Sequence, residues 1–220
     1  MLNIVVEARK QLKSAAQEGR VTTGKVRAIS GALYRKLEDK HIDHVLVHCE
    51  ALLEEREWAL GVIAYDWAFR VRKQYSDDTF FTFENWLVKY VKDWGDCDDF
   101  CTHAFGELIS QNNDLFEHVV KWTKHPNFAV RRAAAVVLIY PIKYHKYSKI
   151  NPYIISDALM TDEHYLVLKG YGWMLKVLSE SEPESVYAYL LKNKVTMPRV
   201  SYRYALEKFD IQIKQQLMGE

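Results

Sequence analysis

The sequence predicts an all-α protein built from stacked helix pairs, and three observations carry that expectation. Apolar residues recur at three- and four-residue spacing along most of the chain, whereas alternating strand patterns are hard to find. Proline and glycine are sparse, at 5 and 9 of 220 residues, and no Ser/Gly/Pro-rich stretch divides the chain. Several segments are apolar nearly all round, so they need neighbours on more than one side.

Taken in order, the N-terminal segment reads as a helix ending near Gly19. Thr22 and Thr23 then suit an N-cap for GKVRAISGALYRKL, where Val26, Ile29, Leu33 and Leu37 keep helix spacing. From Arg56 to Tyr75 a broad stripe runs through Trp58, Leu60, Val62, Ile63, Trp67, Phe69 and Val71. Asn113 and Asp114 suit the start of a helix holding Leu115, Val119, Val120 and Trp122. His125-Pro126-Asn127 breaks the pattern before AVRRAAAVVLIY, which runs into Pro141. Thr161-Asp162-Glu163 opens a helix with Leu166, Leu168, Trp173 and Val177. Ser181-Glu182-Pro183-Glu184 opens the next, with proline near the first turn and acids at the positive helix end. The sum is roughly a dozen helices of ordinary length joined by short turns.

The segment from Ala129 to Tyr140 is the most uniformly apolar. Layers of helix pairs cover such a helix better than one four-helix bundle does. No strict period is visible, so any repeats are degenerate. The expectation is one domain over residues 1–220, an α-α superhelix of the HEAT-like repeat solenoid type.

Function classes narrow next. No run reaches the length a membrane span requires, so no membrane partner is expected. The start MLNIVVEARKQLKSAAQ lacks the order of a secretory signal. Cys49, Cys97 and Cys101 are an odd count with no disulfide framework, which suits a reducing, cytoplasmic setting. There is no P-loop, GxGxxG or GxSxG, so nucleotide hydrolysis is not expected. Net charge is +1, yet it is distributed in blocks. Residues 1–40 carry nine Lys/Arg against four Asp/Glu, residues 41–100 six against thirteen, and residues 101–150 seven against three. Blocks of this kind arise from local positive surface on a neutral protein and equally from solvated helix faces.

Three segments carry candidate chemistry. In DWGDCDDF, Trp94 and Asp98 lie four apart and share a helix face. An indole beside a carboxylate suits an oxocarbenium-like sugar, whose charge the carboxylate stabilises; a core tryptophan beside a helix-end acid is the plainer reading. In HPNFAVRRAAAVV, Arg131 and Arg132 rise from an apolar helix and need a partner. Phosphate suits the guanidinium fork, and an internal pair with the acids at 93–99 is the alternative. Trp173 follows two glycines and is flanked by Lys169 and Lys176. Those lysines suit a phosphate backbone, while tight helix packing at Gly170 and Gly172 is as good a reading. His44/His48/Cys49 and Cys97/Cys101/His103 have metal-like spacing but complete no four-ligand set. No metal and no cofactor is expected.

In order and spacing, Trp94-xxx-Asp98, the VKWTKHPNFAVRRAA segment and KGYGWMLK together resemble the AlkD family of HEAT-like repeat DNA alkylation-repair glycosylases. The likeness runs from about residue 22 to about residue 210 and ends in SYRYALEKF. It implies excision of cationic N3- and N7-alkylated purines by hydrolysis of the N-glycosidic bond. It also implies Asp98 as the catalytic carboxylate and Trp94 and Trp173 as flanks of the deoxyribose. Arg132 would hold the phosphate backbone, with Arg131 in its place if the register slips by one.

The family's extra N-terminal helix, which reaches into the minor groove, has no room between Gly19 and Thr22. Ala129 stands where the family often has an aromatic residue. This resembles a second group with a shortened front end and implies weak binding of double-stranded DNA, because each lost phosphate contact removes electrostatic affinity. A non-catalytic DNA-binding relative and a protein-interaction solenoid remain the alternatives.

Overall fold

The computed structural model describes residues 3–219, and every regular element among them is helical. The chain runs α1 (Ile4–Gln17), α2 (Thr23–Arg35), α3 (Ile42–Glu54), α4 (Trp58–Arg70), α5 (Asp77–Tyr90), α6 (Trp94–Phe100) and α7 (Gly106–Gln111). It continues through α8 (Phe116–Trp122), α9 (Phe128–Val136), α10 (Ile139–Lys143), α11 (Pro152–Leu159) and α12 (Tyr165–Leu178). It closes with α13 (Pro183–Lys192), α14 (Arg199–Leu206) and α15 (Ile211–Met218). Contacts divide it into two compact units, with the boundary between Leu108 and Ile109. None of the helices is long and apolar enough to cross a membrane.

In the first unit α4 is the hub, packed on α2, α3 and α6. Its sequence explains that place: Leu60, Val62, Ile63, Ala64, Tyr65, Trp67 and Ala68 are all buried, so the helix needs neighbours around most of its circumference. A cluster of aromatic rings anchors the end of the unit. Phe83 meets Phe100 at 5.2 Å and Phe105 at 5.5 Å between centroids. Phe100 and Phe105 close the inner side of α6 and of the single π turn that continues it, Cys101–Phe105. Such turns insert one residue into a helix and shift the direction of the side chains that follow.

In the second unit α12 is the hub, packed on α9, α10, α11 and α14. Each contact pairs a helix with its neighbour or near neighbour in sequence, the arrangement of a helical-repeat solenoid. The helix starts follow the expected chemistry at Thr22, which accepts from Lys25 N at 3.4 Å, and at Pro183, the first residue of α13.

Two boundaries differ from expectation. The stretch 129–140 breaks at Val137 and Leu138, and Pro141 lies inside the first turn of α10, where its missing N–H costs nothing. Helix α12 is capped by His164, whose Nδ1 accepts from Leu166 N, and not by Thr161 or Asp162. Asp162 has another duty, described below. All three cysteines are buried, and Cys49 Sγ donates to Ala64 O at 3.2 Å. Among the described residues no cluster of three His, Cys, Asp or Glu side chains is placed to hold a metal ion.

Candidate active site

Asp93 fixes the start of α6. Its side chain accepts from Gly95 N at 2.8 Å and Asp96 N at 3.3 Å, satisfying two orphan amides at the N-terminus. That cap makes Trp94 the first helical residue, and its indole stands out at 58% exposure. One turn on, Asp98 is half-buried, and both side chains line a shallow depression of about 430 Å³. Thr102 ties the π turn back to this residue, donating from Oγ1 to Asp98 O at 2.7 Å.

The neighbouring acids differ in their surroundings, and Asp99 lines this same depression beside His103. Asp93 is the cap. Asp99, 15% exposed at its side chain, bonds Arg27 through Oδ1, and His103 Nδ1 lies 3.7 Å from that oxygen. Its Oδ2 is buried with no hydrogen-bond partner among the described residues. Burial pushes the Asp99 carboxyl above its usual range, against the pull of Arg27 and His103. Asp96 is also raised, first by burial and then by the charge of Asp93, and it faces a separate depression shared with Tyr65 and Tyr90. Asp98 and Asp99 thus both line the depression with Trp94, and Asp98 is the one that stands one turn from the indole on the same helix face.

Sequence reasoning missed one member. Trp58, the first residue of α4, lines the depression with Trp94 and Asp98 at 48% exposure. It had been counted into an apolar stripe. The signal that marks it is local: Glu57-Trp58 opens α4 just as Asp93-Trp94 opens α6.

The other candidates lie in the second unit. Arg131 does not pair with the acids at 93–99. Its Nε reaches Asp162 Oδ2 at 2.5 Å, its Nη2 reaches Oδ1 at 3.3 Å, and its Nη1 donates to the carbonyls of His125 and Pro126, each at 2.9 Å. Arg132 is 5% exposed and donates from Nη1 to Leu166 O at 2.5 Å. Gly170 gives it room, since a Cβ there would lie 3.2 Å from Arg132 Cγ. Gly172 serves packing instead: a Cβ there would come within 2.8 Å of Ser201 O on α14. Trp173 is half-buried. Lys169 lies over the rings of Tyr165, at 4.5 Å, and Tyr204, at 5.5 Å. The two tyrosines hold its ammonium pKa above the ordinary value. Lys176 pairs with Glu207.

The family model described as DNA alkylation repair enzyme matches residues 7–209, nearly the whole chain. The chain belongs to the DNA alkylation repair enzyme family. A solved structure described as a predicted DNA alkylation repair enzyme from Enterococcus faecalis is similar at a TM-score of 0.72. That likeness covers 87% of each chain at 18% sequence identity, so it speaks for the fold. A search of the curated proteins gives no match. Within this alkylation-repair family member, Trp94, Asp98 and Trp58 share one depression of the first unit, and Arg131, Arg132, Lys169, Trp173 and Lys176 belong to the second.

Proposed function

We propose that this protein is a DNA glycosylase that removes cationic N3- and N7-alkylated purines, with Asp98 as its catalytic carboxylate. The observation that carries the reading is Asp98 itself, half-buried one turn after an exposed indole and lining the same depression. A carboxylate in a partly water-excluded hollow stabilises positive charge more strongly than one in bulk water. The reaction needs little else. The C1′–N bond breaks, its electron pair neutralises the departing base, and C1′ becomes oxocarbenium-like. Water then bonds C1′, and its proton passes to Asp98 or to solvent. A neutral purine would leave as an anion and gains much less from the same site.

The resemblance assigns the remaining roles. Trp94 and Trp173 flank the deoxyribose, and Arg132, with Arg131 as the neighbouring choice, holds phosphate. Lys169 and Lys176 are the lysines of α12 that supply further phosphate contact. Family membership across residues 7–209, which takes in both units, supports treating the chain as one functional domain on double-stranded DNA. The test is release of 7-methylguanine or 3-methyladenine from methylated duplex DNA by the full chain. Asp98→Asn is expected to lower the rate by about 10²–10³-fold, the usual cost of losing one preorganised electrostatic group. An Asp98→Asn variant as active as wild type, or a wild type that releases no base, refutes it.

One observation favours a second reading, that of a weak DNA binder without excision. Both arginines are engaged within the protein, and the link between α1 and α2 is too short for another helix. Salt-sensitive DNA binding with no base release would select that reading.

A further inference from the structure

Five of the six tryptophans sort into two kinds, and the sixth, Trp173, is half-buried. Trp67 is buried and donates to Ser30 O at 3.1 Å, Trp86 is buried and donates to Glu50, and Trp122 is buried. Trp58 and Trp94 are about half exposed, and among the described residues neither indole makes a hydrogen bond or a ring contact. Leaving two of the largest apolar side chains in water forgoes burial that the fold takes elsewhere. Both stand at the first position of their helices, and α4 packs against α6. Between them the depression has Val62 on the α4 side and Asp98 on the α6 side, each one turn along from its tryptophan.

Two exposed indoles line one hollow with the carboxylates of Asp98 and Asp99, beside His103, and this lining suits an organic cation. The ring quadrupole attracts positive charge over its face, and tryptophan does so best among the aromatics. A delocalised cation gives up its hydration more readily than a compact ammonium does, so the attraction is not lost to water at the open mouth.

We propose that Trp58 is a specificity-determining residue: with Trp94 and Asp98 it selects the cationic form of an alkylated purine nucleotide over the neutral one. This deepens the glycosylase reading and rests on it for the identity of the ligand, but not for the recognition itself, which requires no bond cleavage.

The experiment is calorimetric titration of the full chain with 7-methylguanosine and with guanosine, at mildly acidic pH where the methylated base keeps its charge. Wild type, Trp58→Ala, Trp58→Phe and Asp98→Asn are compared, with excision from methylated DNA measured alongside. Wild type is expected to prefer the cationic nucleoside by about tenfold or more. Trp58→Ala should lose that preference, Trp58→Phe should keep most of it, and Trp58→Ala should raise KM for methylated DNA more than it lowers kcat. Equal binding of the two nucleosides by wild type, no binding of either, or an unchanged preference in Trp58→Ala overturns the proposal. Excision that depends on Asp98 with a cation preference indifferent to Trp58 sinks this inference alone. A Trp58-dependent preference in a chain that excises nothing sinks the glycosylase reading and leaves this one standing.

Discussion

Substituting Gly172 by alanine tests how closely α12 and α14 are packed. The added Cβ would lie 2.8 Å from Ser201 O, 2.9 Å from Ser201 Cα and 2.9 Å from Tyr204 Cβ. Ordinary contacts of this kind relax at about 3.5 Å, so the helices must part by roughly 0.6 Å. Two of the three atoms met are backbone, and no rotamer change moves them. Overpacking of this sort costs about 1–3 kcal/mol, and spreading the helices loosens the buried rows around Tyr171, Leu175 and Ala205 as well. Alanine returns about 1 kcal/mol through helix propensity. With the loosened rows added to the cost, the net expectation is a loss of about 1–2 kcal/mol, or roughly 2–8 °C in Tm at about 2–4 °C per kcal/mol for a chain of this size. Gly170→Ala is the matched control. Its Cβ meets Arg132 Cγ at 3.2 Å and Nη1 at 3.5 Å, so the misfit is only a few tenths of an ångström and falls mainly on one side chain. The control should stay within about 1 kcal/mol of wild type. Urea unfolding followed by far-UV circular dichroism reads both variants through their midpoints and slopes. A Gly172→Ala protein as stable as wild type, or a Gly170→Ala protein more damaged than it, would refute the reasoning.

Two further outcomes follow from the ionic contacts. Arg131→Ala strips the guanidinium from Asp162, which is only 7% exposed at its side chain, and should cost about 2–4 kcal/mol; Arg131→Ala/Asp162→Ala should cost less than the two single changes combined, read by double-mutant cycle. Glu50 accepts from Trp86 Nε1, from Tyr90 OH and from Lys89; burial opposes its ionisation, yet these bonds prevail and hold its pKa below the ordinary 4.5. A carboxyl lowered on folding contributes stability above its unfolded value and loses it as pH falls through the folded one. Glu50→Gln should therefore cost about 1 kcal/mol at neutral pH, and the gap from wild type should close below pH 4.5. A gap that widens in acid would contradict the assignment.

The all-helical fold was legible because burial on several sides writes itself into composition, as in α4 and α9. The pair Trp94 and Asp98 was legible for the same kind of reason, since a four-residue spacing places two side chains on one helix face wherever that helix packs. Partnership between distant segments was not. Nothing near Arg131 in sequence points to Asp162, which had read as part of a helix start, and the internal bond of Arg132 runs to a backbone carbonyl that carries no residue signature. Trp58 was hidden for a different reason. In a stripe of apolar residues periodicity cannot tell which large side chain stays outside, and that depends on where α4 begins.

The burial of the thiols bears on the chemical surroundings of an alkylation-repair protein. Methylating agents attack soft nucleophiles first, and a cysteine reacts as its anion. Cys97 and Cys101, on either side of Asp98, are shut away from solvent, and so is Cys49, whose thiol burial pushes far above its usual range. The folded chain thus withholds its three thiols from the reagents that damage DNA, even in the turn of helix that carries its candidate carboxylate.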